Sequence, residues 1–146
     1  MKYRKGIAAI IFRKTPNGSK FLIFHRTKNW EGWEFLKGGV QDGEDSLKSL
    51  KREIKEETGI KTYKIIENTG KVTKFKWPKH FVKDHRVYDG AELEFFLVKT
   101  NIAKVKIDKR EHDDYKWVTV EEALKLLTYN NHKEVLKTVL KKGELK

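Results

Sequence analysis

Residues 38–60 read GGVQDGEDSLKSLKREIKEETGI, and this stretch decides the fold. Its middle predicts a helix over residues 45–58, because Asp45 or Ser46 can cap the first turn and Gly59 sits where a left-handed C-terminal cap belongs. Leu47, Leu50 and Ile54 give that helix an apolar stripe. Glu53, Glu56 and Glu57 stand at i, i+3 and i+4, so three carboxylates share one face. Like charges at this spacing repel, at a cost of roughly a few tenths of a kcal/mol per pair. Lys48, Lys51, Arg52 and Lys55 lie nearby, and Arg52 can pair with Glu56 one turn on, yet the three acids still converge. The acidic face lies roughly 100° round the helix from the apolar stripe, which places it at the rim of the packing surface. Clustered carboxylates in a chain without cysteine suit hard cations such as Mg²⁺ or Mn²⁺. On spacing alone, a solvated acidic helix fits as well.

The flanks belong to a mixed α/β sandwich. Residues 6–12 form an apolar run that reads as a buried strand, and Pro16-Asn17-Gly18 marks a hairpin turn before a second strand at residues 20–25. Residues 30–33 read as a loop, followed by a short strand at residues 34–36. Beyond the helix, residues 60–75 hold one long or two short strands, and residues 77–89 are basic and irregular around Pro78. Residues 92–99 are a strongly apolar strand, and residues 115–118 another short one. Thr119 caps a helix opening Val120-Glu121-Glu122, and a last helix opens at Asn131 or His132 and ends near Lys142 and Gly143. Strands and helices interleave within one domain, residues 1–146.

The stretch at 38–60 also matches, at each fixed position, the Nudix box G-x5-E-x7-R-E-U-x-E-E-x-G-U, where U is aliphatic. Those positions are Gly38, Glu44, Arg52, Glu53, Ile54, Glu56, Glu57, Gly59 and Ile60. The chain therefore resembles the Nudix hydrolases. The resemblance implies an α/β/α sandwich with a mixed central sheet, and a loop–helix–loop that holds Mg²⁺ or Mn²⁺ against a diphosphate. By position, Glu53, Glu56 and Glu57 are the implied metal ligands, and the Gly38 carbonyl is an additional one. Glu44 and Arg52 are implied as a supporting ion pair that fixes loop to helix. Glu57 or Glu111 would take the proton of the attacking water.

Outside the box the resemblance narrows. Trp33-Glu34-Phe35-Leu36-Lys37-Gly38-Gly39 is similar to the W-x-F-P-K/Q-G-G/H run of dinucleoside polyphosphate hydrolases, which RNA 5′-pyrophosphohydrolases share; Leu36 stands where they usually carry Pro. Lys37 resembles the lysine that meets substrate phosphate in the tetraphosphate hydrolases. Glu111-His112-Asp113-Asp114-Tyr115-Lys116-Trp117 is similar to their E-H-x-x-Y-x-W, which implies Glu111 as a fourth carboxylate for metal or base. Tyr115 and Tyr129 resemble the base-stacking pair of this branch; stacking contributes roughly 1–3 kcal/mol per base. Lys74-Phe75-Lys76-Trp77-Pro78 resembles an aromatic-x-x-Pro segment of the same branch. With Lys79, His80, Lys83, His85 and Arg86 it makes a basic loop suited to a polyphosphate chain. Arg4 and Arg26 fall near positions that contact substrate there.

Composition bounds the partners. Lys and Arg outnumber Asp and Glu 33 to 21, a net charge of +12, which attracts RNA, DNA or phosphate-rich small molecules. No apolar run approaches the roughly 18 residues that span a bilayer, and charge resumes at Arg13 after the first strand, so a cytoplasmic protein without membrane partner is expected. A monomer or homodimer fits the length. The first functional expectation is asymmetric cleavage of diadenosine tetraphosphate to ATP and AMP. Removal of diphosphate from RNA 5′ ends is the alternative. Hydrolysis of (d)NTPs or ADP-ribose, or a non-catalytic nucleotide- or RNA-binding module, are further ones.

Overall fold

A computed structural model describes residues 2–28, 30–76 and 88–141. Strands β1 (Tyr3–Thr15), β2 (Gly18–Arg26), β3 (Gly32–Glu34) and β4 (Leu36–Gly39) precede helix α1 (Ser46–Thr58). Strands β5 (Lys64–Lys76), β6 (Gly90–Lys99) and β7 (Asp114–Val118) follow, and helices α2 (Val120–Leu126) and α3 (Asn130–Val139) come last. The sheet runs β3-β2-β1-β6-β5, with β4 also pairing β1 and β7 pairing β2. The β1–β6 pair is parallel and the others are antiparallel, so the sheet is mixed.

β1 shows why the chain layers as it does. Ala8, Ile10 and Phe12 enter one core, and Ile7, Ala9 and Ile11 enter the other. Successive side chains alternate across a strand, so a strand buried on both faces reads as an unbroken apolar run. The first core is closed by α2 and α3 through Ala123, Leu127, Val135, Leu136 and Val139. The second is closed by α1 through Leu50 and Ile54. The result is the α/β/α sandwich that the resemblance implies.

Several details depart from expectation, among them the loop expected over 30–33 and the strand over 34–36, in whose place stand strands β3 and β4. Leu47 is 48% exposed rather than part of the packed stripe, and borders a surface hollow together with Ile65, Asn68 and Phe96. The strand expected over 60–75 begins at Lys64 and is one element whose register shifts between Ile65 and Glu67 and again between Asn68 and Val72. The last helix opens at Asn130 behind Tyr129, whose side chain makes no capping bond. The expected end of that helix near Lys142 and Gly143, and residues 77–87 of the basic segment, lie outside the described residues.

Candidate active site

α1 is fixed at both ends. Asp45 accepts a hydrogen bond from the Lys48 amide at 2.8 Å, and Gly59 closes the helix at φ 70°, a left-handed conformation that costs a residue with a Cβ about 1–2 kcal/mol. The helix buries Ser49, Leu50, Glu53, Ile54, Glu57 and Thr58. Two of the three clustered acids thus face inward, Glu53 at 7% exposure and Glu57 at 5%. This corrects the expected rim position: the 49-53-57 row adjoins the 50-54-58 row, and both are covered when a strand comes this close. Glu56 alone stays at the rim. Gly38 on β4 permits the approach, since a Cβ there would collide with the Glu53 carboxylate.

Charges organise around two cations. Arg52 donates from Nε to Glu44 Oε2 at 2.7 Å and from Nη2 to the Gly39 carbonyl at 2.9 Å, while Nη1 reaches Glu53 at 2.8 Å and Glu56 at 3.2 Å. His112, buried, lies with Nε2 2.8 Å from Glu34 Oε2 and Nδ1 3.3 Å from Glu57 Oε2. The doubly protonated ring can donate to both carboxylates. Burial alone would lower the His112 pKa, but the bonds to Glu34 and Glu57 outweigh it and hold the ring up at about 9. Burial likewise works against ionised Glu34, yet Lys37, His112 and Arg26 together bring it down to about 2. Lys37 Nζ stands 3.1 Å from Glu34 Oε1, an ion pair whose angle falls short of a hydrogen bond. Burial pushes Glu53 up to about 7 against the pull of Arg52, and pushes Glu57 up against the pull of His112.

Arg52, Lys37 and the α1 carboxylates line one cleft of about 860 Å³, with Glu34 and His112 buried behind it. Gly38, Glu53, Glu56, Glu57 and Glu111 all border it, as do Arg4, Arg26, Lys37 and Arg52. Among the described residues no three acids or imidazoles converge into a closed cage, because Glu53 and Glu56 lean on Arg52 and Glu57 on His112. The set nonetheless fits a divalent ion. Two carboxylates held away from water beside each other are destabilised when ionised, which a cation between them would relieve. Mg²⁺ requires few protein carboxylates and completes its shell with water and phosphate.

Placement of the remaining predicted residues is uneven. Arg26 joins the cleft but is engaged, 3.3 Å from Glu34 and 3.4 Å from Glu111. The Arg4 guanidinium lies against Gly39, where a Cβ would strike it. Tyr129 borders the cleft and Tyr115 does not. The expected Tyr115–Tyr129 clamp is therefore not formed. Tyr115 pairs with Phe24 across β7 and β2 and packs into the α1-side core, whereas Tyr129 lies on the opposite face of the sheet. Tyr129 instead meets Phe75, stacked at 5.7 Å, and Trp30 at 4.9 Å, with the Lys37 ammonium 5.1 to 5.6 Å from all three rings. Lys79 and Lys83 lie outside the described residues. Glu34 and His112 escaped the sequence reading as site residues. The signals for them were a charged residue inside the apolar Trp33–Leu36 run, and the fixed histidine of the E-H-x-x-Y-x-W run, to which no role was attached.

Residues 2–139 match the NUDIX domain family. The chain belongs to the Nudix hydrolases. Among its relatives is the RNA pyrophosphohydrolase of a Nitratiruptor species, 32% identical over 149 residues, covering 97% of this chain and 96% of that protein. Another is the RNA pyrophosphohydrolase of Helicobacter pylori, 30% identical over 85% of this chain and 83% of that protein. Among solved structures it is similar to the binary complex of C. elegans Ap4A hydrolase, with a TM-score of 0.79, 25% identity, and coverage of 92% of this chain and 93% of that one. The protein is thus a Nudix pyrophosphohydrolase, from a family that generally uses a divalent metal. In this Nudix hydrolase no helix among the described residues is long and apolar enough to cross a membrane.

Proposed function

We propose that this Nudix hydrolase removes diphosphate from the 5′-triphosphate end of RNA, with Mg²⁺ or Mn²⁺. The observation that carries the reading is the joint lining of one cleft: an aromatic corner of Trp30, Phe75 and Tyr129, the α1 carboxylates, and further cations Arg4, Lys5, Lys28 and Lys76. Rings of this kind stack a base, and cations beyond those a triphosphate needs favour a longer polyanion. Relatives that span nearly the whole chain are named RNA pyrophosphohydrolase, which supports the same choice.

In this reading Tyr129 and Phe75 stack the first base, while Lys37, Arg26 and Arg4 meet phosphate oxygens. Glu53, Glu56 and Glu57, with the Gly38 carbonyl and Glu111, hold the metal, which when bound supplies charge neutralisation and activation of water. Arg52 and Glu44 keep the loop of residues 39–44 against α1. Glu57 or Glu111 accepts the proton of the attacking water. One water is consumed, and 5′-monophosphate RNA and pyrophosphate are released.

A second reading, cleavage of diadenosine tetraphosphate to ATP and AMP, is supported by the likeness to C. elegans Ap4A hydrolase. The two separate by incubating the protein and Mg²⁺ with triphosphate RNA, diadenosine tetraphosphate, 8-oxo-dGTP and ADP-ribose, and resolving products by chromatography. Pyrophosphate and monophosphate RNA at the highest kcat/KM is the expected outcome. ATP and AMP from the dinucleotide, with RNA untouched, would replace the first reading by the second.

A further inference from the structure

We infer that His112 is a positioning residue that sets the Glu57 carboxylate for metal, and that Glu34 anchors it from behind. His112 is 3% exposed and Glu34 is fully buried, so neither reaches substrate from its present place. The imidazole spans the gap between them and α1: Nε2 lies 2.8 Å from Glu34 Oε2, and Nδ1 lies 3.3 Å from Glu57 Oε2. Phe24 fixes the ring plane, with centroids 4.8 Å apart and planes tilted by 32°. Glu34 in turn cannot turn away, because Arg26 and Lys37 hold its two oxygens at 3.3 and 3.1 Å.

One Glu57 oxygen is thereby committed to His112, and the other is left for the cleft that Glu57 lines. A carboxylate so tethered presents a defined oxygen instead of sampling several rotamers. Outer partners that orient a metal ligand in this way typically change affinity about 10–100-fold when removed. The chain also links the phosphate-facing cations Lys37 and Arg26 to the metal-facing Glu57 through a single buried acid. This inference rests on Glu57 holding a divalent ion, whichever nucleotide is the substrate.

The test is Mn²⁺ affinity, read by electron paramagnetic resonance without substrate, for wild type and the variants E57Q, H112F, H112N and H112Q, each checked for native circular dichroism. H112F keeps the ring against Phe24 and removes both donors. H112N places an N–H one bond from Cγ, where Nδ1 sits; H112Q places it one bond further, where Nε2 sits. Expected are losses of about 10–100-fold for H112F and H112Q, with most of the affinity retained in H112N. If H112F does not fold, the order of H112N above H112Q carries the result. Wild-type affinity in H112F, or equal affinities in H112N and H112Q, overturns the positioning role while leaving Glu57 as ligand. Unchanged affinity in E57Q overturns the metal role of Glu57 itself, and this inference with it.

Discussion

Arg52 grips Glu44 with two bonds, Nε to Oε2 at 2.7 Å and Nη2 to Oε1 at 3.1 Å. The fork ties the turn before α1 to the middle of the helix, and its remaining nitrogen holds Glu53 and Glu56. Both partners are mostly shielded, with side chains 21% and 16% exposed, so the pair is more than a surface contact. A double-mutant cycle of Arg52→Ala and Glu44→Gln, followed by urea unfolding, should show that the two losses are not additive. Additive effects would mean that the loop is held some other way.

Stability should respond to pH through Glu53. Burial lifts this carboxyl to about 7 from 4.5. An acid raised on folding contributes stability fully below its unfolded value, and that contribution is lost as pH climbs from 4.5 through 7. In a chelator, warming scans between about pH 5 and about pH 8 should therefore lower the wild-type Tm relative to Glu53→Gln. Added Mg²⁺ should raise the wild-type Tm more than that of the variant. Parallel pH profiles for the two proteins would show that Glu53 carries no such strain.

The two tyrosines should part company. Tyr129→Ala should raise KM for a base-bearing substrate about tenfold with a smaller change in kcat, as loss of one stacked ring implies. Tyr115→Ala should leave KM alone and lower Tm, because its ring packs in the α1-side core. Steady-state kinetics with melting curves decides, and a comparable KM effect at both tyrosines would restore the clamp that the sequence suggested.

Leu50 and Leu47 offer the matching test of packing. Leu50 is fully buried and Leu47 is 48% exposed. Leu50→Ala should cost about 2–5 kcal/mol of unfolding free energy, while Leu47→Ala should stay within about 1 kcal/mol. Similar losses at both positions would mean that α1 lies on the sheet along its first turn as well.

Much of this was legible in the chain because it is written locally. The helix cap at Asp45, the C-cap at Gly59 and the alternation along β1 depend on neighbours a few residues away. The acids of α1 were legible as a cluster for the same reason. Their depth was not, since it depends on Gly38 of a different strand coming close enough to cover Glu53. The Tyr129 partners were missed because β5 and the loop holding Trp30 meet only in three dimensions. His112 and Glu34, 78 positions apart, were hidden likewise. A spacing rule reports which face of an element a residue occupies, and not what another element brings to it.

The most direct measurement is an anomalous difference map from crystals grown with Mn²⁺ and a non-hydrolysable triphosphate nucleotide. Manganese peaks in direct coordination with Glu53 and Glu57 oxygens and with nucleotide phosphate are the predicted result. A nucleotide seated in the cleft with no metal on α1, and with Glu53 still bound to Arg52, would contradict it.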